Sequence, residues 1–548
     1  MKLPYFAFAL ALAPAMACGD NETQESPPDA GPPDAAPLDV TQELRSKVDT
    51  IVVIYAENRG FDNMYGLFPG ANGIPGVNPT GTGTIHPQID RDAAGTLLPK
   101  LPQSWGGVTA SGFMPPITQA MSDNLPNQPY RLQTTYSGLD YATITRDLVH
   151  RFFENRMQIG NGKNDRFAAF SDAGGLSMGY YDGSGMALWN LAKRYVLADN
   201  FFMGAIGGSF LNHQYLICAC VPEYPNADTD PAAPTIAALD ANGDLVLAAT
   251  SPASAIDGPP VFMLSGNLVP KNYFGDGTFR AVNTMQPPYQ PSAIAYATTD
   301  ASHLYADRSK PQTLPPQTEP TIGDQLGAKG VSWKWYAGAY RQTLTAATGD
   351  RVGFPQPSTA GAVPNYQFHH HPFNYYQGFD PVTGAAAREA HLKDYSDLVA
   401  DINAGALPQV VFYKPQGDLN QHPGYASVSA GDQHIADLIA KLEASPQFKR
   451  MIIVVAYDEN GGWWDHVVPP TGDKAGPGMR IPAIIISPYA KAGTVDHTQY
   501  DTASILRLIA RRFDLPTLPG VKRRDDGLVA NGGRAMGDLT QALDLTKN

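Results

Sequence analysis

Two stretches of this chain run apolar and then stop on oxygen-bearing side chains. The segment at 49–56 delivers Glu57 and Asn58, and the segment at 451–457 delivers Asp458 and Glu459. One acidic pair after a strand is ordinarily a solvated turn or a helix cap. Two pairs in matched contexts can put four oxygen donors around one hard or borderline cation. A second kind of chemistry is offered at 205–213, where Gly207 and Gly208 precede Ser209. Paired glycines allow close approach of backbone to a ligand. A helix over 209–218 would direct its first amide groups at an anion. A serine hydroxyl is a weak nucleophile until a base or a metal lowers its pKa, and the cation proposed above would do so. A serine at a helix start also commonly serves as a cap. The third resource is imidazole, able to donate to phosphate oxygens, protonate a leaving alkoxide or bind metal. His369, His370 and His371 are contiguous, His150 follows Asp147-Leu148-Val149, and His422 precedes Pro423-Gly424. His434 on an amphipathic stretch and His86 read as structural.

Elements must exist to hold these groups. Apolar runs at 50–55, 410–413, 451–456 and 481–487 read as buried parallel strands, because strands covered on both faces lose polar alternation. Residues 429–444 and 500–513 carry apolar residues at three- and four-residue spacing and read as helices. The expectation is an α/β fold with a doubly wound, mostly parallel sheet and helices on both faces, in which ligands collect beyond the carboxyl ends of strands.

Composition sets the bounds. The 548 residues are 43% hydrophobic and 17% charged, with 53 Gly, 48 Pro and a formal net charge of −13. That is a soluble globular composition with long turn-rich loops. An acidic surface of this size argues against partnership with nucleic acid or anionic lipid headgroups, yet a buried metal can locally outweigh it for a phosphorylated substrate. Residues 1–17 read as a signal peptide. Cys18 then stands at a lipobox-like position, and 18–47 is a Pro-rich linker unable to build a core. Membrane association is expected only through an anchor at Cys18, with export to the periplasm or cell surface. The catalytic domain is expected over 48–520, with an inserted cap region at about 222–317 and a polar tail at 521–548. Cys218 and Cys220, one residue apart, are expected as buried thiols rather than a disulfide.

Together these segments resemble the bacterial phosphoesterase family of secreted phospholipases C and respiratory-burst-inhibiting acid phosphatases, within the alkaline-phosphatase-like superfamily. The resemblance is carried by Glu57-Asn58-Arg59-Gly60-Phe61-Asp62, Asn161-Gly162-Lys163-Asn164-Asp165, Gly208-Ser209-Phe210-Leu211-Asn212 and Tyr457-Asp458-Glu459-Asn460-Gly461-Gly462-Trp463-Trp464-Asp465-His466. It implies an alkaline-phosphatase-like fold, metal binding by Glu57, Asn58, Asp458 and Glu459, and a Ser209 nucleophile. It also implies that His150, Asn212, His369, His370 and His422 surround the phosphate. One divalent ion (Mg, Mn, Ca or Zn) is expected. Asp465 and His466 are expected as structural groups rather than ligands of a second ion. His213 stands where the phospholipases tend to carry Arg, and Lys414-Pro415-Gln416-Gly417 looks closer to the phosphatase branch. The expected reaction is therefore hydrolysis of small phosphate monoesters through a phosphoserine, with phospholipase C activity as the alternative. A non-catalytic binding lipoprotein is a more distant reading.

Overall fold

The computed structural model describes residues 39–292, 294–344 and 366–547. The signal peptide, the Cys18 anchor and most of the 18–47 linker lie outside the described residues. Residues 40–548 cluster as one unit.

Its centre is an eight-stranded sheet. In chain order the strands are β1 (Thr50–Ala56), β2 (Val196–Ala198), β3 (Trp333–Ala337), β4 (Leu392–Asp394), β5 (Val410–Lys414), β6 (Met451–Tyr457), β7 (Ala483–Ile486) and β8 (Thr494–Asp496). Their spatial order is β8-β2-β7-β6-β1-β5-β3-β4. Five of the seven pairings are parallel, and both pairings of β7 are antiparallel. Every residue of β1, β5, β6 and β7 is buried, so both faces of the central sheet are covered. The apolar runs reported that burial correctly. They could not report direction, and the expectation of a parallel strand at 481–487 is corrected: an antiparallel strand buried on both faces is equally apolar.

The helices follow from the same logic. Helix α1 (Ser209–Cys218) starts at the serine that follows the paired glycines, and α2 (Val428–Ala444) and α3 (Thr502–Phe513) form where the apolar spacing placed them. Helix α2 buries Val428, Gly431, Ile435, Leu438, Ile439 and Leu442, a three-and-four repeat, and the Ser427 hydroxyl caps it by accepting from Ala430 N at 3.1 Å. Tyr500 and Asp501, expected within α3, instead pair with Phe201 and Phe202 as a short two-stranded sheet.

The C-terminal segment is built into the fold. Helix α4 (Pro519–Ala530) sends Arg524 into the interior, where its guanidinium pairs with Asp501 at 3.0 Å and Asp473 at 3.1 Å and donates to Gly204 O at 2.6 Å. Leu528, Leu539, Leu543 and Leu545 are buried with it. The 222–317 region is held mostly by isolated bridges such as Leu247 with Phe262 and Leu268 with Ala281. The Asn242-Gly243 signal is a turn, with Gly243 at φ +81°.

One cysteine expectation is overturned. Cys218 and Cys220 form a disulfide. Helix α1 ends at Cys218, and Ala219 adopts left-handed backbone at φ 50°, ψ 42°. That reversal brings the two Cα atoms to 5.1 Å, within disulfide reach.

Candidate active site

The site lies at the carboxyl end of β1 and β6. These neighbours run parallel with Ala56 level with Tyr457, so the next residues, Glu57 and Asp458, emerge side by side. Asp458 N donates to Ala56 O at 3.0 Å, extending the ladder one step. Asn58 then takes left-handed backbone (φ 51°), a conformation asparagine tolerates. Its amide N–H donates to Asp458 Oδ1 at 3.0 Å. Glu57, Asn58, Asp458 and Glu459 are all fully buried.

Ser209 arrives from the other side. Gly208, not Ser209, occupies the N-cap of α1, which leaves the serine hydroxyl free. Ser209 Oγ donates to Glu459 Oε1 at 3.0 Å and lies 3.4 Å from Asn58 Oδ1. Both preceding glycines are sterically required. A Cβ on Gly207 (φ +94°) would fall 2.5 Å from Phe152 Cα, and one on Gly208 would fall 2.3 Å from Thr284 Oγ1. Thr284 belongs to the 222–317 region, and its carbonyl accepts from Phe210 N at 3.0 Å.

Asn212 is not beside the carboxylates. Its side chain accepts from Ala205 N at 2.8 Å and donates to Ala205 O and Gly207 O, both at 3.1 Å. It holds the loop that presents Ser209, and with its amide so engaged it has nothing left to offer a phosphate. Arg524 and Thr502 brace the same loop at Gly204.

The histidines divide by position. His150 Nδ1 is 2.7 Å from Glu459 Oε1. His150 Nε2 and His422 Nε2 both face the Asn58 amide nitrogen, at 3.4 and 2.7 Å. His370 Nε2 is 2.8 Å from Glu57 Oε1, and the His369 ring lies 4.0 Å from that of His370. His371 turns away to pack on Tyr340 and Trp335. His434 bonds the Tyr413 hydroxyl at 2.6 Å, as a structural group.

Two charged residues were missed in the sequence. The Lys414 ammonium, buried at the end of β5, pairs with Glu57 Oε1. The rule that located Glu57, look just beyond a buried strand, would have found it. Asp147 contacts His150 Nε2 at 3.5 Å and His422 Nδ1 at 4.0 Å. It sits three residues before His150, in the motif already singled out.

Burial decides the electrostatics. It raises Asp458, with Glu57 adding to the effect, to about 7, and it is the main cause that raises Glu459 to about 8. Burial opposes a charge on His150, but Glu459 and Asp147 outweigh it and hold that imidazole well above its usual value. His369 and His370 are pushed well down by burial, and His422 is lowered by it.

The donor set fits a cation. Asp458 Oδ2 and Glu459 Oε2 are buried and have no hydrogen-bond partner, and buried carboxylate oxygens are seldom left that way. The three carboxylates are not drawn tightly together; the groups whose donor atoms all lie within 4.8 Å, among the described residues, are Asp147/His150/His422 and Asp62/Asp465/His466. The second of these is already neutralised. Arg480 lies 3.0 Å from Asp62 and 3.1 Å from Asp465, and His466 Nδ1 is 2.6 Å from Asp62. Replacing Arg480 by Ala should strand the buried Asp465 carboxylate, Asp62 keeping His466, and destabilise the protein by about 3–5 kcal/mol, read from chemical denaturation. A loss under ~1 kcal/mol would mean the cluster is not held by that charge. Trp463 and Trp464, next to this cluster, are core residues, and Trp464 Nε1 donates to Asn164 O at 3.0 Å.

A buried serine hydroxyl set among carboxylates and imidazoles thus lies past the strand ends of a mostly parallel α/β sheet, where open α/β folds gather their ligands. Residues 48–516 match the Phosphoesterase family, and the chain belongs to it. It is thus a phosphoric ester hydrolase of a metal-dependent family. The chain is 24% identical to phospholipase C B of Mycobacterium tuberculosis (strain ATCC 25618 / H37Rv) over 91% of its length and 78% of that protein's. It is 28% identical to the non-hemolytic phospholipase C of Pseudomonas aeruginosa over 27% of this chain and 25% of that one. A solved protein of the alkaline phosphatase superfamily from Vibrio parahaemolyticus aligns with 66% of this chain and 64% of its own at 10% identity and a TM-score of 0.28.

Proposed function

We propose that this protein is a phospholipase C-type phosphodiesterase that works through a phosphoserine on Ser209, with Glu57, Asn58, Asp458 and Glu459 holding one divalent ion. The observation that carries the chemistry is the Ser209 hydroxyl, fully buried and donating to Glu459 Oε1 beside two carboxylate oxygens with no donor. The substrate class follows the relatives that match 91% of the chain, which are phospholipases C. This reverses the order reached from sequence. One ground for preferring monoesters was His213, and that residue lies inside, its Nδ1 donating to Ser209 O at 2.7 Å and its ring stacked on His370 at 4.8 Å. A histidine supporting α1 from within says little about what the site admits.

A divalent ion bound there favours the serine alkoxide and draws charge from the non-bridging oxygens. The chain's own groups do the rest. The Ser209 proton passes along its bond to Glu459, Oγ bonds to phosphorus, and the bond from phosphorus to the alcohol oxygen breaks. The leaving oxygen takes a proton from His150, which Glu459 and Asp147 hold charged. Asn58 and His422, with His369 and His370 alongside, orient the phosphoryl oxygens. Water then gives a proton to His150 as its oxygen bonds to phosphorus, the bond from phosphorus to Ser209 Oγ breaks, and Glu459 returns its proton to that oxygen. A cavity of about 410 Å³ lined by Arg146, Asp147, His150, Thr284 and Met285 adjoins this centre and offers room for the rest of the ester.

Release of diacylglycerol from phosphatidylcholine should exceed release of phosphate from p-nitrophenyl phosphate by at least ~10-fold in kcat/KM. The opposite ratio would restore the monoesterase reading. His150→Gln should slow alkyl esters by on the order of 10²–10⁴-fold and p-nitrophenyl esters far less, since nitrophenolate leaves without a proton. Equal losses on both would remove His150 as the acid.

Export through residues 1–17 and a tether at Cys18 belong to the same proposal. No described helix is long and apolar enough to cross a membrane. Cys18→Ala should move the enzyme from the membrane fraction to the soluble exported one, and unchanged partitioning would count against the anchor.

A further inference from the structure

Glu57 is unlike the other two carboxylates of the centre. Lys414, whose side chain is 1% exposed, brings its ammonium onto Glu57 Oε1, and the same nitrogen lies 3.5 Å from Ala56 O and 5.4 Å from the Tyr55 ring centroid. The lysine is therefore shielded from solvent, and among the described residues Glu57 is the carboxylate it pairs with directly, while its charge also acts on Asp458. Asp458 meets no Lys, Arg or His among the described residues, and Glu459 meets only His150. Three buried carboxylates in one pocket need more than one positive charge, because an uncompensated buried charge is costly. A single divalent ion and one fixed ammonium balance them, while His150 has Asp147 as a further partner at 3.5 Å.

We propose that Lys414 is a positioning residue that supplies the built-in second cation of this centre, holding Glu57 in place and limiting the site to one divalent ion. This rests on reading Glu57, Asp458 and Glu459 as the holders of that ion. Coulomb's law gives the direction of the test. An ammonium next to the ion repels it, so removing the ammonium strengthens the pull on cations even as it loosens Glu57. A lysine that merely filled space would change stability and leave ion binding alone.

The experiment titrates Mn²⁺ into the metal-free full-length enzyme, counting bound ions by electron paramagnetic resonance, with kcat/KM measured in parallel. Wild type should bind one Mn²⁺ per chain. Lys414→Met should bind the ion at least tenfold more tightly or take up a second one, while kcat/KM falls at least a hundredfold. Lys414→Arg, which keeps the charge, should stay within threefold of wild type in Mn²⁺ affinity. Unchanged affinity and stoichiometry in Lys414→Met, or an Arg variant that behaves like the Met variant, would overturn the role of the lysine alone. Two ions on wild type would overturn it even if Lys414→Met failed to fold. No Mn²⁺ on wild type, or binding unaltered by Asp458→Asn, would instead overturn the metal centre, and the lysine's role with it.

Discussion

Ser209→Ala should retain less than on the order of 10⁻⁴ of wild-type turnover while melting within a few degrees of wild type. The two halves of that result have separate causes. The hydroxyl is the proposed bond-forming atom, and removing it leaves no group of similar reach: the neighbouring donors to the phosphoryl group bind it but do not attack. Stability should hardly change because the lost oxygen donates to Glu459 and lies against Asn58 without capping α1, whose N-cap is Gly208. Glu459 keeps His150 at 2.7 Å, so no carboxylate is newly stranded. Rapid quenching of wild type with phosphorus-labelled substrate should place the label on the peptide containing Ser209, and on no peptide of the variant. Label on a histidine, or a variant retaining a tenth of wild-type activity, would defeat the assignment of the nucleophile.

Stripping the protein of divalent ions should abolish turnover and make its stability fall as pH rises from about 5 to about 8. The sign follows from proton linkage. Asp458 and Glu459 are raised to about 7 and about 8, whereas unfolded carboxylates titrate near ~4. Between those values the folded, metal-free protein holds more protons than the unfolded chain, so raising pH favours unfolding. His150, also raised, acts the same way: its stabilising charge is complete below the imidazole's ordinary value and is lost as pH passes the folded one. A divalent ion replaces the protons on the carboxylates, so its stabilising effect should grow across the same window. Thermal melts of the metal-free protein at pH 5 and pH 8, with and without Mn²⁺, give both slopes. Asp458→Asn should flatten the metal-free slope. A metal-free protein more stable at pH 8 than at pH 5 would mean the carboxylates carry no such strain.

The sequence by itself determined a good deal here. Each of the four apolar runs is a strand of the one sheet, because burial on both faces forbids polar residues and leaves a mark readable without coordinates. The helix at Ser209–Cys218 was legible from its glycine-serine start, and the matched endings at Glu57-Asn58 and Asp458-Glu459 marked the pocket. What required the tertiary structure is what depends on neighbours distant in the chain. The adjacency of β1 and β6, some four hundred residues apart in sequence, is what turns two acidic pairs into one pocket. The direction of β7 was hidden since burial carries no polarity along the chain. Asn212 looked available to a substrate until the loop it holds was seen. Lys414 stood in a quoted motif without a place in the site, because a lone lysine ending a strand has meaning only once Glu57 stands beside it. The Cys218–Cys220 bond depended on a left-handed Ala219, a backbone state that residue type disfavours and only the surrounding fold could impose.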